Sequence, residues 1–348
     1  MNMAHPMMHK TCVIFGGTGC IGTQVAQYLL EHSDVERIYL ADLRPPCTAS
    51  YASRLQQGLQ EGRVVYVRQD VRQPIQPGGL PARCDSILNL AAIHREPGHQ
   101  LHEYYETNIP GAENVCAYAS AAGASQMLFT SSISPYGSSE TIKNEDTMPA
   151  PDTPYGGSKL VAEKIHIAWQ QADISRGLVI LRPGVVFGPG EYANMSRLVR
   201  SLVKGYFVYT GNKTTRKAGV YVKELCRVMQ FALQYQMANL VPLLLWNVSI
   251  DPPPTLETFV QAICNVTGSK RRRPSVPRSV LLGVSYPIDA IAHIFGIKQP
   301  VNPVRMRKLF HSTNIEPKRL REAGYQWHYT VEQAFADWKQ DAPEDFLA

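Results

Sequence analysis

The amino-acid sequence predicts an α/β fold, a doubly wound parallel sheet with a smaller C-terminal unit interleaved with it. Three observations predict this. The apolar run Thr11–Phe15 leads directly into Gly16-Gly-Thr-Gly19-Cys-Ile-Gly22 and then a helical stretch over Thr23–Leu30, which reads strand, glycine turn, helix. Further short apolar runs follow, separated by segments suited to crossover helices, the alternation expected of a parallel sheet. At 348 residues the chain is long for one domain, so two interlocked lobes are natural.

Each element carries a reason for its place. Gly16, Gly19 and Gly22 permit a tight turn, close approach of backbone to a pyrophosphate, and close packing of helix on strand; free N–H groups at the helix start would then face the anion. A second strand, Arg37–Ala41, ends at Asp42, twenty residues after Gly22, where a carboxylate accepts hydrogen bonds from a ribose diol. The same carboxylate repels a 2′-phosphate, so NAD is favoured over NADP, although Arg44 two residues later weakens the preference. A third strand, Val64–Arg68, runs out into Asp70-Val71, and a fourth, Ser86–Leu90, into Ala91-Ala92. Both sets, Leu90 included, suit the edge of a dinucleotide crevice, where small residues let a cofactor lie against the backbone. Met127–Ser132 is a fifth strand with a polar end of Thr130, Ser131 and Ser132, and a helix is expected near Val222–Gln236.

The run Pro154-Tyr-Gly-Gly-Ser-Lys159 sets Tyr155 and Lys159 on one face of a helix. A phenol is a poor acid or base near neutrality because its ordinary pKa is about 10. An ammonium beside it favours the phenolate and brings proton transfer within range. A Tyr–Lys pair alone is more often a plain helix surface; here it follows a glycine turn, an acidic strand end and a serine-rich strand end in one chain.

In this combination the chain resembles the extended short-chain dehydrogenase/reductases, the NAD-dependent epimerase/dehydratase group, whose fold is Rossmann-type. The resemblance rests on Gly16-x-x-Gly19-x-x-Gly22, Asp42, Asp70, Leu90-Ala-Ala92, Thr107-Asn108, Ser131-Ser132 with Tyr136-Gly137, Tyr155-x-x-x-Lys159, and Leu181-Arg-Pro-Gly184 with Phe187-Gly-Pro189. It implies that Ser132 orients the substrate oxygen with Ser131 beside it, that Tyr155 is the acid/base, and that Lys159 supports Tyr155 and binds the nicotinamide ribose. It adds Cys20, Ile21, Val71, Pro183 and Val185 to the cofactor contacts, and gives Asn108 a bracing task on the active-site helix. Asn194 and Arg216 fall where similar proteins bind a sugar-nucleotide diphosphate, a role an Arg fork suits.

Dehydratases resembling this chain carry an acidic pair after the strand-end Thr, whereas Ser132 and Ile133 stand here, so elimination lacks its carboxylate. Lys223-Glu224 departs from the group's usual acidic residue followed by Asp or Asn. The expected activity is NAD-linked reduction or oxidation at C4 of a nucleotide-diphosphate sugar, a ketoreductase exchanging its cofactor at every turnover. A nucleotide-sugar 4-epimerase is the nearest rival, a 3β-hydroxysteroid-like dehydrogenase the second, and an NAD-binding redox sensor or scaffold the non-enzyme alternative. Retention of Ser132, Tyr155 and Lys159 counts against the last. The NAD lobe is expected over residues 1–182 and about 213–240, the substrate lobe over about 183–212 and 241–348. The resemblance also implies a homodimer.

Composition restricts the alternatives. With 44% hydrophobic and 18% charged residues the chain has a globular composition, not a disordered one. Seven cysteines without close metal-like spacing point to a reduced, cytoplasmic setting and no metal site. Met1–Lys10 lacks the apolar core of a signal peptide. The net charge is +6, and the basic run Lys270–Arg273 precedes apolar stretches at Val280–Val284 and Ile288–Phe295. Ser285, Pro287, Asp289 and His293 interrupt these, which rules out a span and favours a helix over the substrate pocket above a peripheral membrane contact. No stacking platform accompanies the basic run, so nucleic acid is not expected.

Overall fold

The computed structural model describes residues 10–76, 78–94, 98–210, 212–271, 273–276 and 312–347. The expected helix over Ile288–Phe295, the run Val280–Val284 and the lead-in before Lys10 lie outside the described residues.

The chain forms a seven-stranded, wholly parallel sheet. Its strands are β1 (Thr11–Phe15), β2 (Arg37–Asp42), β3 (Val64–Arg68), β4 (Ser86–Asn89), β5 (Gln126–Thr130), β7 (Gly177–Pro183) and β11 (Leu243–Val248), in the order β11-β7-β5-β4-β1-β2-β3. All the expected strands are present, and β7 and β11 extend the sheet beyond them. The chain direction across the sheet reverses between β1 and β4, the switch point at which doubly wound folds open a crevice.

Alternation along the strands divides the core in two. Cys12 and Ile14 of β1, Leu128 of β5 and Val179 of β7 face α1 (Cys20–His32) and α6 (Val222–Asn239), which contribute Val25, Leu29, Leu225 and Met229. Val13, Phe15, Met127, Phe129 and Ile180 face the other way, against Val115 and Ala119 of α3 (Leu101–Ala121) and Ala162 and Trp169 of α4 (Pro154–Gln171). Both faces are covered, which is why the strands read as near-continuous apolar runs.

A third core lies apart from these. Phe187 of β8 (Val185–Phe187), Val199 and Leu202 of α5 (Asn194–Lys204), Phe259 and Ile263 of α7 (Leu256–Thr267), and Phe335 and Trp338 of the helix Val331–Asp341 pack together. The rings of Phe187 and Phe335 stack at 5.1 Å. Two short parallel pairs stand apart from the large sheet: β8 with β10 (Gly219–Tyr221), and β6 (Ser139–Lys143) with β13 (Thr313–Ile315).

Candidate active site

The β1–α1 turn owes its shape to two glycines. Gly16 has φ +74°, and a Cβ there would come within 2.8 Å of the Ala91 amide nitrogen, so the turn lies directly on the backbone leaving β4. A Cβ on Gly22 would sit 2.4 Å from the Gly16 carbonyl, so the first turn of α1 packs on the strand exit. Gly19 is the N-cap of α1 and supplies no capping side chain, which leaves the helix N-terminus facing the crevice as an anion site requires. Cys20 Sγ lies 3.4 Å from the Pro189 carbonyl, and burial pushes its thiol up to about 12; Ile21 packs between the first and third cores.

Asp42 ends β2 beside this turn. Its carboxylate accepts from the Thr18 amide (3.2 Å) and the Arg44 amide (3.3 Å), tying the glycine turn to the next strand while leaving lone pairs for a ribose diol. Asp70 is more fully engaged. The Arg72 guanidinium grips it at 2.6–3.0 Å and holds its carboxyl below the usual carboxylate range. The Val71 carbonyl accepts from Asn114 of α3 at 2.9 Å. The glycine cradle, the Asp42 carboxylate and the Leu90–Ala92 backbone all meet at the β1/β4 switch point, an arrangement that fits a dinucleotide.

Tyr155 and Lys159 lie in the first two turns of α4, whose start is capped by Thr153 accepting from the Gly156 amide at 3.1 Å. Asn108 of α3 braces this helix as expected: it donates to Ser158 Oγ (2.9 Å), which donates to the Tyr155 carbonyl (2.9 Å), and it accepts from the Ile93 amide (3.0 Å). The Tyr155 ring is half-buried, 6.2 Å from that of Tyr104. Lys159 is 2% exposed; its Nζ donates to the Thr130 carbonyl at 2.7 Å and stands 4.1 Å over the Phe129 ring. Burial pulls its ammonium down to about 7, against the opposing charge of Glu163.

The two strand-end serines diverge. Ser132 Oγ accepts from the Ser134 amide (3.1 Å) and donates to Ser134 Oγ (3.0 Å), at the 3-10 turn Ser134–Tyr136. Ser131 Oγ, expected to face substrate with it, donates instead to Glu163 Oε1 at 2.5 Å, in the interior. Pro183 closes β7, its carbonyl accepting from the Ile133 amide, and Val185 begins β8 opposite Gly219.

On the substrate side, Asn194 is exposed at the first position of α5. The helix start there is organised by Glu191, which accepts from the Ala193 and Ser196 amides at 2.7 and 2.8 Å. Arg216 is exposed, and its guanidinium donates to the Pro253 carbonyl at 2.5 Å. The next residue, Lys217, is the better sheltered cation: burial brings its ammonium down to about 8, with Glu140 opposing. Lys223 and Glu224, the departure from the group's pattern, face the C-terminal segment rather than the crevice. Lys223 pairs with Asp337 and Asp341 at 2.7 and 2.8 Å, and Glu224 accepts from the amides of His328 and Tyr329 and from the Tyr325 hydroxyl. Among the described residues no cluster of His, Cys, Asp or Glu could hold a metal, and no helix is long and apolar enough to cross a membrane.

Comparison with known proteins agrees with this architecture. Residues 12–242 match the model of the NAD dependent epimerase/dehydratase family. An N-acetyl-alpha-D-glucosaminyl-diphospho-ditrans,octacis-undecaprenol 4-epimerase of Escherichia coli O157:H7 is 24% identical over 94% of this chain and 93% of its own. A 3beta-hydroxysteroid-dehydrogenase/decarboxylase of Arabidopsis thaliana is 22% identical over 92% of this chain and 60% of its own. The crystal structure of a UDP-glucuronic acid 4-epimerase from Bacillus cereus in complex with NAD superposes with a TM-score of 0.74 at 18% identity, over 97% of this chain and 99% of that one. With its glycine turn on the β4 exit, its acidic β2 end and its parallel sheet, the chain belongs to the NAD-dependent epimerase/dehydratase family, and NAD is its cofactor.

Proposed function

We propose that the protein is a 4-epimerase acting on a sugar carried by a nucleotide diphosphate. The reading is supported by Lys159, which shares α4 with Tyr155 and donates to the Thr130 carbonyl at the end of β5, two residues before Ser132, and by buried Ile133 where a dehydratase would need a carboxylate. The sequence alone favoured net ketoreduction. The full-length E. coli relative and the B. cereus neighbour are both named 4-epimerases, and their names support a reaction that returns its electrons.

Bound NAD supplies reversible two-electron exchange with C4. The residues do the rest. Ser132 Oγ, held by Ser134, orients the C4 oxygen; Tyr155 takes the hydroxyl proton as C4 is oxidised and returns it once the sugar has turned its other face. The Lys159 cation lowers the cost of the phenolate. Asn194 and Arg216, whose guanidinium also meets the Pro253 carbonyl, are the candidates for the substrate diphosphate, with Lys217 next to Arg216 in the chain. We place substrate binding on the third core and cofactor binding on the large sheet. The outer faces of α3 and α4, where Leu101, Tyr105 and Val161 are exposed, are the surface proposed for a homodimer. The seven unpaired cysteines suit a reducing, cytoplasmic setting.

A second reading follows from the E. coli relative, whose name gives a sugar carried on a polyprenyl diphosphate. Both carriers share the sugar diphosphate, so one experiment addresses both. Purified protein is denatured, released NAD is counted, and intact protein is offered UDP-sugars and polyprenyl-diphospho-sugars. The expected outcome is near-stoichiometric NAD and inversion at C4 without net change in NADH. Steady consumption of NADH with a 4-keto sugar would overturn epimerisation in favour of ketoreduction.

A further inference from the structure

Helix α4 carries a third charged residue in line with Tyr155 and Lys159. Glu163 lies one turn beyond Lys159 on the same face and is 1% exposed. Its two oxygens are taken by Arg182 of β7, Nε at 2.8 Å and Nη2 at 2.6 Å, and one also accepts from Ser131 Oγ at 2.5 Å. Arg182 is 3% exposed and stands 4.7 Å over the ring of Tyr136, whose hydroxyl donates to Asn247 of β11 at 3.0 Å. The strut therefore joins α4 to the ends of β5, β7 and β11, directly beneath the turn that displays Ser132.

Stability does not account for such a device. A buried ion pair is repaid only in part by its Coulomb attraction, and well-packed apolar residues of equal volume commonly serve as well or better. Its position does account for it. Along the same face of α4 as Lys159 lie Tyr155, Glu163 and His166, and Glu163 is bound to Arg182 of β7, while β5 offers the Phe129 ring and the Thr130 carbonyl. His166 stacks on Phe129 at 4.0 Å, and burial pulls its imidazole down to about 4, so it stays neutral. Tyr155 on α4 adds no positive charge in either form. Glu163 is then the anion that opposes desolvation of the Lys159 ammonium.

We propose that Glu163 is a positioning residue: gripped by Arg182 and Ser131, its buried carboxylate sets Tyr155 and Lys159 of α4 in register with the strand end that presents Ser132. The proposal rests on the acid/base reading of Tyr155 and Lys159. It predicts that removing the carboxylate makes Lys159 give up its proton more easily and slackens the alignment of Tyr155 with Ser132.

The test uses NAD-loaded protein labelled with [6-13C]lysine, so that the Lys159 titration is followed by NMR without turnover. Glu163→Gln, which removes the anion and leaves the Arg182 cation uncompensated, should move the Lys159 midpoint down by about one pH unit or more, and the double variant Glu163→Gln with Arg182→Met, which removes both charges, should move it less. The alkaline limb of the kcat profile should move with it, and kcat should fall far more than KM rises. Ser131→Ala, which keeps the ion pair, should lower kcat by about tenfold or more through misalignment and leave that limb in place. An unmoved lysine midpoint in a folded Glu163→Gln, or wild-type kcat in Ser131→Ala, would overturn the proposal. Loss of activity in Tyr155→Phe tests the underlying reading separately.

Discussion

Tyr155 and Lys159 differ in surroundings far more than their spacing suggests. Tyr155 is half-buried at the mouth of the site, whereas Lys159 is enclosed and fastened to the Thr130 carbonyl. Replacing Tyr155 by Phe keeps the ring against Tyr104 and removes only the transferable proton, so fold and NAD content should persist while kcat drops by about 10²- to 10⁴-fold. Steady-state assays with cofactor counting check both halves of that statement, and near-full activity would reassign proton transfer. Asp42 supports a second expectation. Its carboxylate lies beside the glycine turn, so if it meets the ribose diol as proposed NADH should bind more tightly than NADPH, and Asp42→Ala should narrow the gap by about 1–3 kcal/mol. Titration calorimetry with both cofactors reads this, and equal affinities in the unaltered protein would shift attention to Arg44. Asp42 was legible because its distance from Gly22 is set by one crossover unit. The direction of Ser131 was not, because adjacent strand residues alternate in facing and no local pattern says which of two serines meets a buried acid.

Elements with a long period were legible, and those that complete each other from afar were not. β1 matches its apolar run because it is covered on both faces and needs no polar alternation, whereas β2 and the edge strand β3 are apolar in sequence though only partly covered. β8, β10 and β13 are three residues each, too short to carry a period, and β6 pairs in parallel with a strand near the other end of the chain. Lys223-Glu224 is instructive at this scale. As a deviation from a family pattern it drew attention toward the substrate; in the fold it fastens the start of α6 to residues 325–341. Glu224→Ala would leave the buried Tyr325 hydroxyl and the part-buried amides of His328 and Tyr329 without their acceptor, which costs about 1–3 kcal/mol. The urea midpoint should fall accordingly with NAD binding intact, and an unchanged midpoint would mean that water or a neighbouring group takes over those amides.

The whole molecule is interleaved, not modular. Its third core takes Phe187 from the middle of the chain and Phe335, Trp338 and Phe346 from the end, and β13 comes back to lie beside β6. This has a bearing on synthesis. On the ribosome Ser139 emerges long before Thr313; at about 5–20 residues per second the interval is roughly 10–35 s. Throughout it the nascent chain exposes β6 without its partner and Phe187 without its ring stack, while the large sheet up to β11 can already have formed. The cofactor cradle is therefore made early and the lobe that would hold the sugar is made last. On the proposed division between cofactor and substrate lobes, a newborn molecule can collect NAD before it can hold substrate.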